Sequence, residues 1–310
     1  MRDTRYLAAS AQVRALEAGG LTRERLAQAR ESLTLEEALK ILRDCGYPGL
    51  MSQEQVEEAV LAARKDTDRT LRDALPEGRI PDLFLLQYDY HNLKVLLKAP
   101  QADRLLIGWG RVSPEELRQA LERDEYSLLP AALGHAAREG KVLLKDTGDA
   151  RRMDLFLDRC YYAELLETAG KSPFLRGYVE RKIDAANLRI LVRGLRLGES
   201  SEFLRFALLP GGTVGEEDLL AAGRSGGLAA LYASQPLAAA AEKGAEALQG
   251  GDLAAFEDLC EDAVSAYLEK AQFVPFGEEA VLAYLHSREQ EFRDLRRLLT
   301  RARGRKGETP

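Results

Sequence analysis

Ala169-Gly170-Lys171-Ser172 carries the closing residues of a phosphate-binding loop, Gly-x-x-x-x-Gly-Lys-[Ser/Thr], in which backbone amides and a lysine cradle nucleotide phosphates. The opening glycine is missing, because Leu165 stands in its place, and Pro173 removes an amide that could face a phosphate. The segment also follows a helical pattern instead of a strand, so it reads as a turn between helices. Gly211-Gly212-Thr213-Val214-Gly215 is glycine-rich but lacks the strand and the spacing of a dinucleotide-binding turn, and it too reads as a turn. Asp146-Thr147-Gly148-Asp149 offers two carboxylates, yet neither a partner base nor a nucleophile signature accompanies them. His91, His135 and His286 form no His-x-x-x-His or mixed Cys/His group, and Cys45, Cys160 and Cys260 form no Cys-x-x-Cys pair. The expectation is a chain with no catalytic residue, no cofactor and no metal, whose cysteines serve as small buried apolar side chains.

Composition narrows the class further. The 310 residues include 44 basic and 50 acidic side chains, a net charge of -6, which argues against nucleic acid as the main partner. The most apolar stretch, residues 228–241, is interrupted by Ser234, Gln235 and Pro236, short of the roughly 18 uninterrupted apolar residues of a membrane helix. Met1-Arg2-Asp3-Thr4-Arg5 opens a polar stretch instead of the apolar core of an export signal. A cytoplasmic protein without a transmembrane segment of its own is expected.

The elements that must position these residues read as helices. Leu, Ala, Glu and Arg are abundant, and runs alternating β-branched with polar residues are scarce. Ser113-Pro114-Glu115-Glu116 is a capping box with proline at the first helical position, and Ser172-Pro173 repeats the Ser-then-Pro start. Gly46-Tyr47-Pro48-Gly49, Pro76-Glu77-Gly78, Pro210-Gly211-Gly212 and Pro275-Phe276-Gly277 punctuate the chain as turns, and Gly198 ends the helix begun near Pro173. The basic tail from Arg301, with Arg303, Arg305 and Lys306, has lost periodicity and is expected to fray.

Two markers recur three times in the same order. The leading one, Gly-x-[Leu/Val]-[Thr/Ser/Gly]-x-Glu-x-Leu, occupies residues 19–26, 110–117 and 212–219. The trailing one, acid-x-x-[Asn/Asp]-Leu-[Lys/Arg], supplies Asp89, Asn92 and Lys94, then Asp184, Asn187 and Arg189, then Glu291, Asp294 and Arg296. From the glycine to the Asn or Asp is 73, 77 and 82 residues. Such repetition predicts an all-α chain of three similar helical bundles: residues 1–100 with an extra N-terminal helix, 101–198, and 199–310 with the basic tail. At about 100° per residue, Tyr90, Leu93, Leu96 and Leu97 make one narrow apolar stripe, with Asp89 and Asn92 on one flank and Lys94 and Lys98 on the other. An Asn beside such a stripe must find hydrogen-bond partners, so these nine polar positions are read as structural or interface residues that fix how helices dock.

At these residues the chain resembles the C subunit of V/A-type rotary ATPases, counterpart of the eukaryotic V-ATPase d subunit. Asp89-Tyr90-His91-Asn92-Leu93-Lys94, Asp184-Ala185-Ala186-Asn187-Leu188-Arg189, the closing stretch from Pro275-Phe276-Gly277 to Tyr284 with residues 289–296, and the opening residues 6–16 with Val13-Arg14-Ala15-Leu16 carry the resemblance. It covers residues 6–300, with Asp294 as a departure where the other copies have Asn. The resemblance implies a pseudo-threefold funnel of three helical domains, seated on the proteolipid rotor ring and receiving the axle. It implies a non-catalytic central-stalk subunit, peripheral on the cytoplasmic face, serving proton or sodium transport without touching nucleotide. The competing reading is an all-α repeat scaffold for an unrelated complex.

Overall fold

A computed structural model of the chain describes residues 4–32 and 34–306, and among them every regular element is helical. The α-helices run α1 Leu7–Gly19, α2 Arg23–Glu31, α3 Leu35–Asp44, α4 Val56–Arg72, α5 Arg79–Lys98, α6 Pro114–Arg123, α7 Ala131–Thr147, α8 Ala150–Ala169, α9 Pro173–Arg196, α10 Ser201–Ala207, α11 Glu216–Ser225, α12 Leu228–Tyr232, α13 Ala238–Leu248, α14 Leu253–Leu268 and α15 Glu278–Lys306.

Side-chain caps explain many of the starts. Thr22, Thr34, Ser113, Asp149, Ser172, Ser200 and Asp252 each accept an amide of the helix they open, and Thr34 and Ser113 complete reciprocal capping boxes with Glu37 and Glu116. Each such cap stabilises its helix by about 1 kcal/mol. Gly198, at φ 73°, follows α9 in the left-handed region that glycine adopts without steric cost.

The described residues divide into two compact units, one made of those up to Pro81 together with those from Ala271 onward, the other of Asp82–Lys270. In the first, α15 packs against α1 and α4, and α2 against α3. Its core sets Phe292, Leu295, Leu298 and Leu299 of α15 among Leu39, Leu42, Tyr47, Leu50 and Val60. In the second, α9 contacts α8, α10, α11, α13 and α14. Gly140 of α7 lets Leu97 and Leu157 approach its backbone, and Gly244 of α13 does the same for Val192 and Phe256. Leu97 and Val192 hold the same place in their two trailing markers.

Two expectations need correction. The apolar stripe is not narrow: Asp89, Tyr90, Asn92, Leu93, Val95 and Leu96 are all buried, as is every residue from Ile183 to Leu188, whereas Leu97 is only partly covered. A helix enclosed on several sides buries most of its circumference, polar residues included, provided those residues find partners. The tail does not lose its helix at Arg301: α15 continues to Lys306, where Arg, Ala and Lys favour the helix and only Gly304 opposes it. Residues 307–310 lie outside the described residues, as do the side chains of Thr300, Arg301, Arg303, Arg305 and Lys306.

Candidate functional site

The first two trailing markers place an acid and an Asn inside the helical core and satisfy them in nearly the same way, whereas the third leaves its polar residues partly buried. On α5, Asn92 is fully buried and faces the backbone amide and carbonyl of one residue. Its Nδ2 donates to the Ile107 carbonyl at 2.9 Å, and the Ile107 amide donates to its Oδ1 at 2.9 Å. One turn earlier, Asp89 accepts the amides of Arg111 (2.9 Å) and Val112 (3.2 Å) and the Arg111 guanidinium (2.8 Å). Arg111 lies 2.8 Å from Glu164 of α8, which in turn accepts the Tyr90 hydroxyl at 2.9 Å. Burial pushes the Asp89 carboxyl above its ordinary value, against the opposing pull of Arg111 and the two amides. Burial alone would lower Arg111, but Asp89 and Glu164 more than offset it and hold the guanidinium above its usual range.

On α9 the geometry recurs with one change. Asn187 exchanges two hydrogen bonds with the Leu209 backbone, at 2.8 Å to its carbonyl and 2.7 Å from its amide. Asp184 accepts the amides of Thr213 (2.7 Å) and Val214 (3.3 Å). Here a hydroxyl replaces the guanidinium: Thr213 Oγ1 donates at 2.5 Å, and Arg181 stands 3.9 Å away. Burial raises the Asp184 carboxyl, with Thr213 and the Val214 amide pulling the other way and Arg181 contributing last. In both copies the acid of a trailing marker grips the glycine end of the next leading marker. A Cβ at Gly110 would collide with Asp89 Oδ1, and one at Gly212 with Asp184 Oδ1, whereas a Cβ at Gly19 meets nothing. The glycine-rich run at 211–215 is thus a turn folded around a buried carboxylate.

The basic residues reach neighbouring helices. Lys94 and Lys98 pair with Asp158 (2.6 Å) and Asp154 (2.8 Å) of α8. Arg189 and Arg193 pair with Glu261 (2.7 Å) and Glu257 (2.7 Å) of α14. Both pairs of rungs join residues four apart on one helix to residues four apart on its neighbour, a spacing that aligns one helical face with another. Burial tends to lower Arg189, and Glu261 reverses this to leave it raised.

The third copy departs in chemistry. Glu291 accepts the Tyr47 hydroxyl (2.6 Å) and the Arg288 guanidinium (2.6 and 2.7 Å). Asp294, lacking an N–H to donate to a peptide carbonyl, takes Arg30 of α2 at 2.8 Å instead. Arg296 forms a two-point pair with Glu57 of α4 at 2.6 and 2.7 Å, which holds Glu57 below its ordinary value against the effect of burial. Beside these, Arg64 is buried, lies over the Phe292 ring and pairs with Glu289 at 2.8 Å. Sequence reading missed Arg64, Arg111, Glu164, Tyr47 and Arg288, and only the leading-marker position of Arg111 could have drawn notice.

The other candidate motifs fall into ordinary helical positions. Ser172 accepts the Leu175 amide at 3.1 Å to open α9, and Asp149 accepts those of Arg151 and Arg152 to open α8. His91 Nε2 lies 2.9 Å from the Leu105 carbonyl; His135 is exposed and His286 buried. Cys45 and Cys260 are buried and Cys160 partly so; burial raises the Cys160 thiol to about 11 and the Cys260 thiol to about 12. Among the described residues no group of His, Cys, Asp and Glu is arranged to hold a metal ion, and no helix is long and apolar enough to cross a membrane.

A family model described as "ATP synthase (C/AC39) subunit" matches residues 9–305. The chain is 28% identical to the C subunit of the A-type ATP synthase of Pyrococcus horikoshii, across 94% of this chain and 85% of that protein. It is also 28% identical to the C subunit of the A-type ATP synthase of Thermococcus kodakarensis, across 96% of this chain and 86% of that one. The C subunit of the V-type sodium ATPase of Enterococcus hirae is 28% identical across 74% of this chain and 72% of its own length.

Proposed function

The chain belongs to the ATP synthase (C/AC39) subunit family, and we propose that it is a non-catalytic central-stalk subunit of a V/A-type rotary ATPase. In this reading it couples the axle of the ATP-hydrolysing head to the membrane rotor ring, for proton or sodium transport. Its partners are the axle subunits and the proteolipid ring, and it sits as a peripheral component on the cytoplasmic face of the membrane. The observation that carries the proposal is the extent of the family match, from residue 9 to residue 305, which leaves no separate domain among those residues for another activity.

The internal geometry supports a load-bearing role. A part that transmits twist needs stiffness, and close-packed helices cross-braced by charge-assisted hydrogen bonds deform little. Asp89, Asn92, Lys94, Asp184, Asn187, Arg189, Glu291, Asp294 and Arg296 serve as internal braces, each tied to a segment distant in sequence. None of this requires a bound nucleotide, metal or cofactor.

Affinity purification of the tagged chain from its own host tests the assignment. The axle subunits and ring proteolipid should be recovered with it. Recovery of neither, from cells whose remaining ATPase is assembled, refutes the proposal and favours a scaffold of another complex.

A further inference from the structure

The three long helices that carry the trailing markers meet their partners in one pattern, except in the direction of the chain. Lys94 of α5 reaches an acid 64 residues further on, and Arg189 of α9 reaches one 72 residues further on. Arg296 of α15 instead reaches Glu57, 239 residues earlier. The same reversal holds along the whole helix and its lead-in. The Gly277 amide donates to Ser10 of α1 at 3.2 Å, Arg64 of α4 pairs with Glu289, Tyr47 after α3 donates to Glu291, and Arg30 of α2 pairs with Asp294. Each of the first four helices or its adjoining loop is thus tied to the last one.

The apolar core has the same dependence. Leu39 and Leu42 of α3, Tyr47, Leu50 and Val60 of α4 are buried in one cluster with Phe292, Leu295, Leu298 and Leu299. Without α15 that cluster would lose one of its two aromatic rings and three leucines, and the buried guanidinium of Arg64 would lose both the Phe292 face and the Glu289 carboxylate. A segment whose core residues and buried charge depend on one helix cannot hold its arrangement when that helix leaves.

We propose that α15 is a latch: α1–α4 keep their native arrangement only while α15 is docked. The latch is independent of the rotary assignment, since it rests on contacts within one unit.

Native-state hydrogen exchange on the full chain tests it, comparing Leu295→Ala with the unaltered protein. Protection of amides in α3 and α4 should fall by the same factor as in α15, at least about tenfold, while that in α9 of the other unit holds. A fall confined to α15, or one that reaches α9 equally, overturns the latch. Should Leu295→Ala fail to fold, Glu289→Gln leaves the apolar core intact and is read by the same criterion: α3, α4 and α15 must lose protection together and α9 must not.

Discussion

Asn187 and Leu209 form a closed pair in which one side-chain amide satisfies both backbone polar groups of one residue, donating to its carbonyl at 2.8 Å and accepting from its amide at 2.7 Å. Both residues are buried, so the Leu209 amide and carbonyl have exchanged water for a single side chain. Asn187→Leu strands that amide and carbonyl. We expect a loss of about 1 to 3 kcal/mol in urea unfolding, and the same for Asn92→Leu, whose partner is Ile107. An unchanged unfolding midpoint in both variants contradicts the assignment.

Glycine at the head of the leading marker matters only where an acid lies against it. Gly110→Ala and Gly212→Ala push a methyl into Asp89 and Asp184, and each should destabilise the fold by about 1 to 3 kcal/mol, within the range for overpacking. Gly19 ends α1 in open space, so Gly19→Ala should be neutral or stabilise by about 0.5 to 1 kcal/mol. Thermal melts of the three variants decide this, and an equal loss at all three positions would rule out the acid contact as the reason for the glycine.

Asp184 makes stability depend on pH with a definite sign. Its folded pKa is raised, chiefly by burial, above an unfolded value of about 3.9, so between the two the folded state holds more protons. The contribution is fully present below the unfolded value and is lost as pH rises through the folded one. Relative to Asp184→Asn, the natural chain should therefore lose stability from about pH 4 towards neutrality. Urea midpoints measured across that range test the sign; a relative gain with rising pH would mean that Thr213 and the amides outweigh burial.

The rungs between helices should behave as modest, reciprocal pairs. Arg189→Glu should destabilise by about 0.5 to 1 kcal/mol, and adding Glu261→Arg should recover most of the loss, because the pair is only partly exposed, at 25% and 33%. A double-mutant cycle with no coupling would remove the rung from the account.

Much of this was legible in the chain itself. Capping residues such as Ser113 and Ser172 and the turn at Gly198 announce helices because their signals are local. The polar pair Asp89 and Asn92 stands out because its spacing recurs at Asp184 and Asn187. Their partners were not legible, since the backbone amide and carbonyl of a residue such as Ile107 or Leu209 leave no mark in side-chain type. Nor could a wheel drawn for one apolar stripe show that neighbours enclose α5 and α9 on further sides. Arg64 and Glu289 are 225 residues apart, and only the folded chain brings them together.

The coupling role is tested most directly by comparing ion uptake with ATP hydrolysis in membrane vesicles carrying the host ATPase with and without this chain. The account predicts that vesicles lacking the chain still hydrolyse ATP but do not accumulate protons or sodium, and that adding it back restores uptake. Undiminished uptake in its absence would contradict the account.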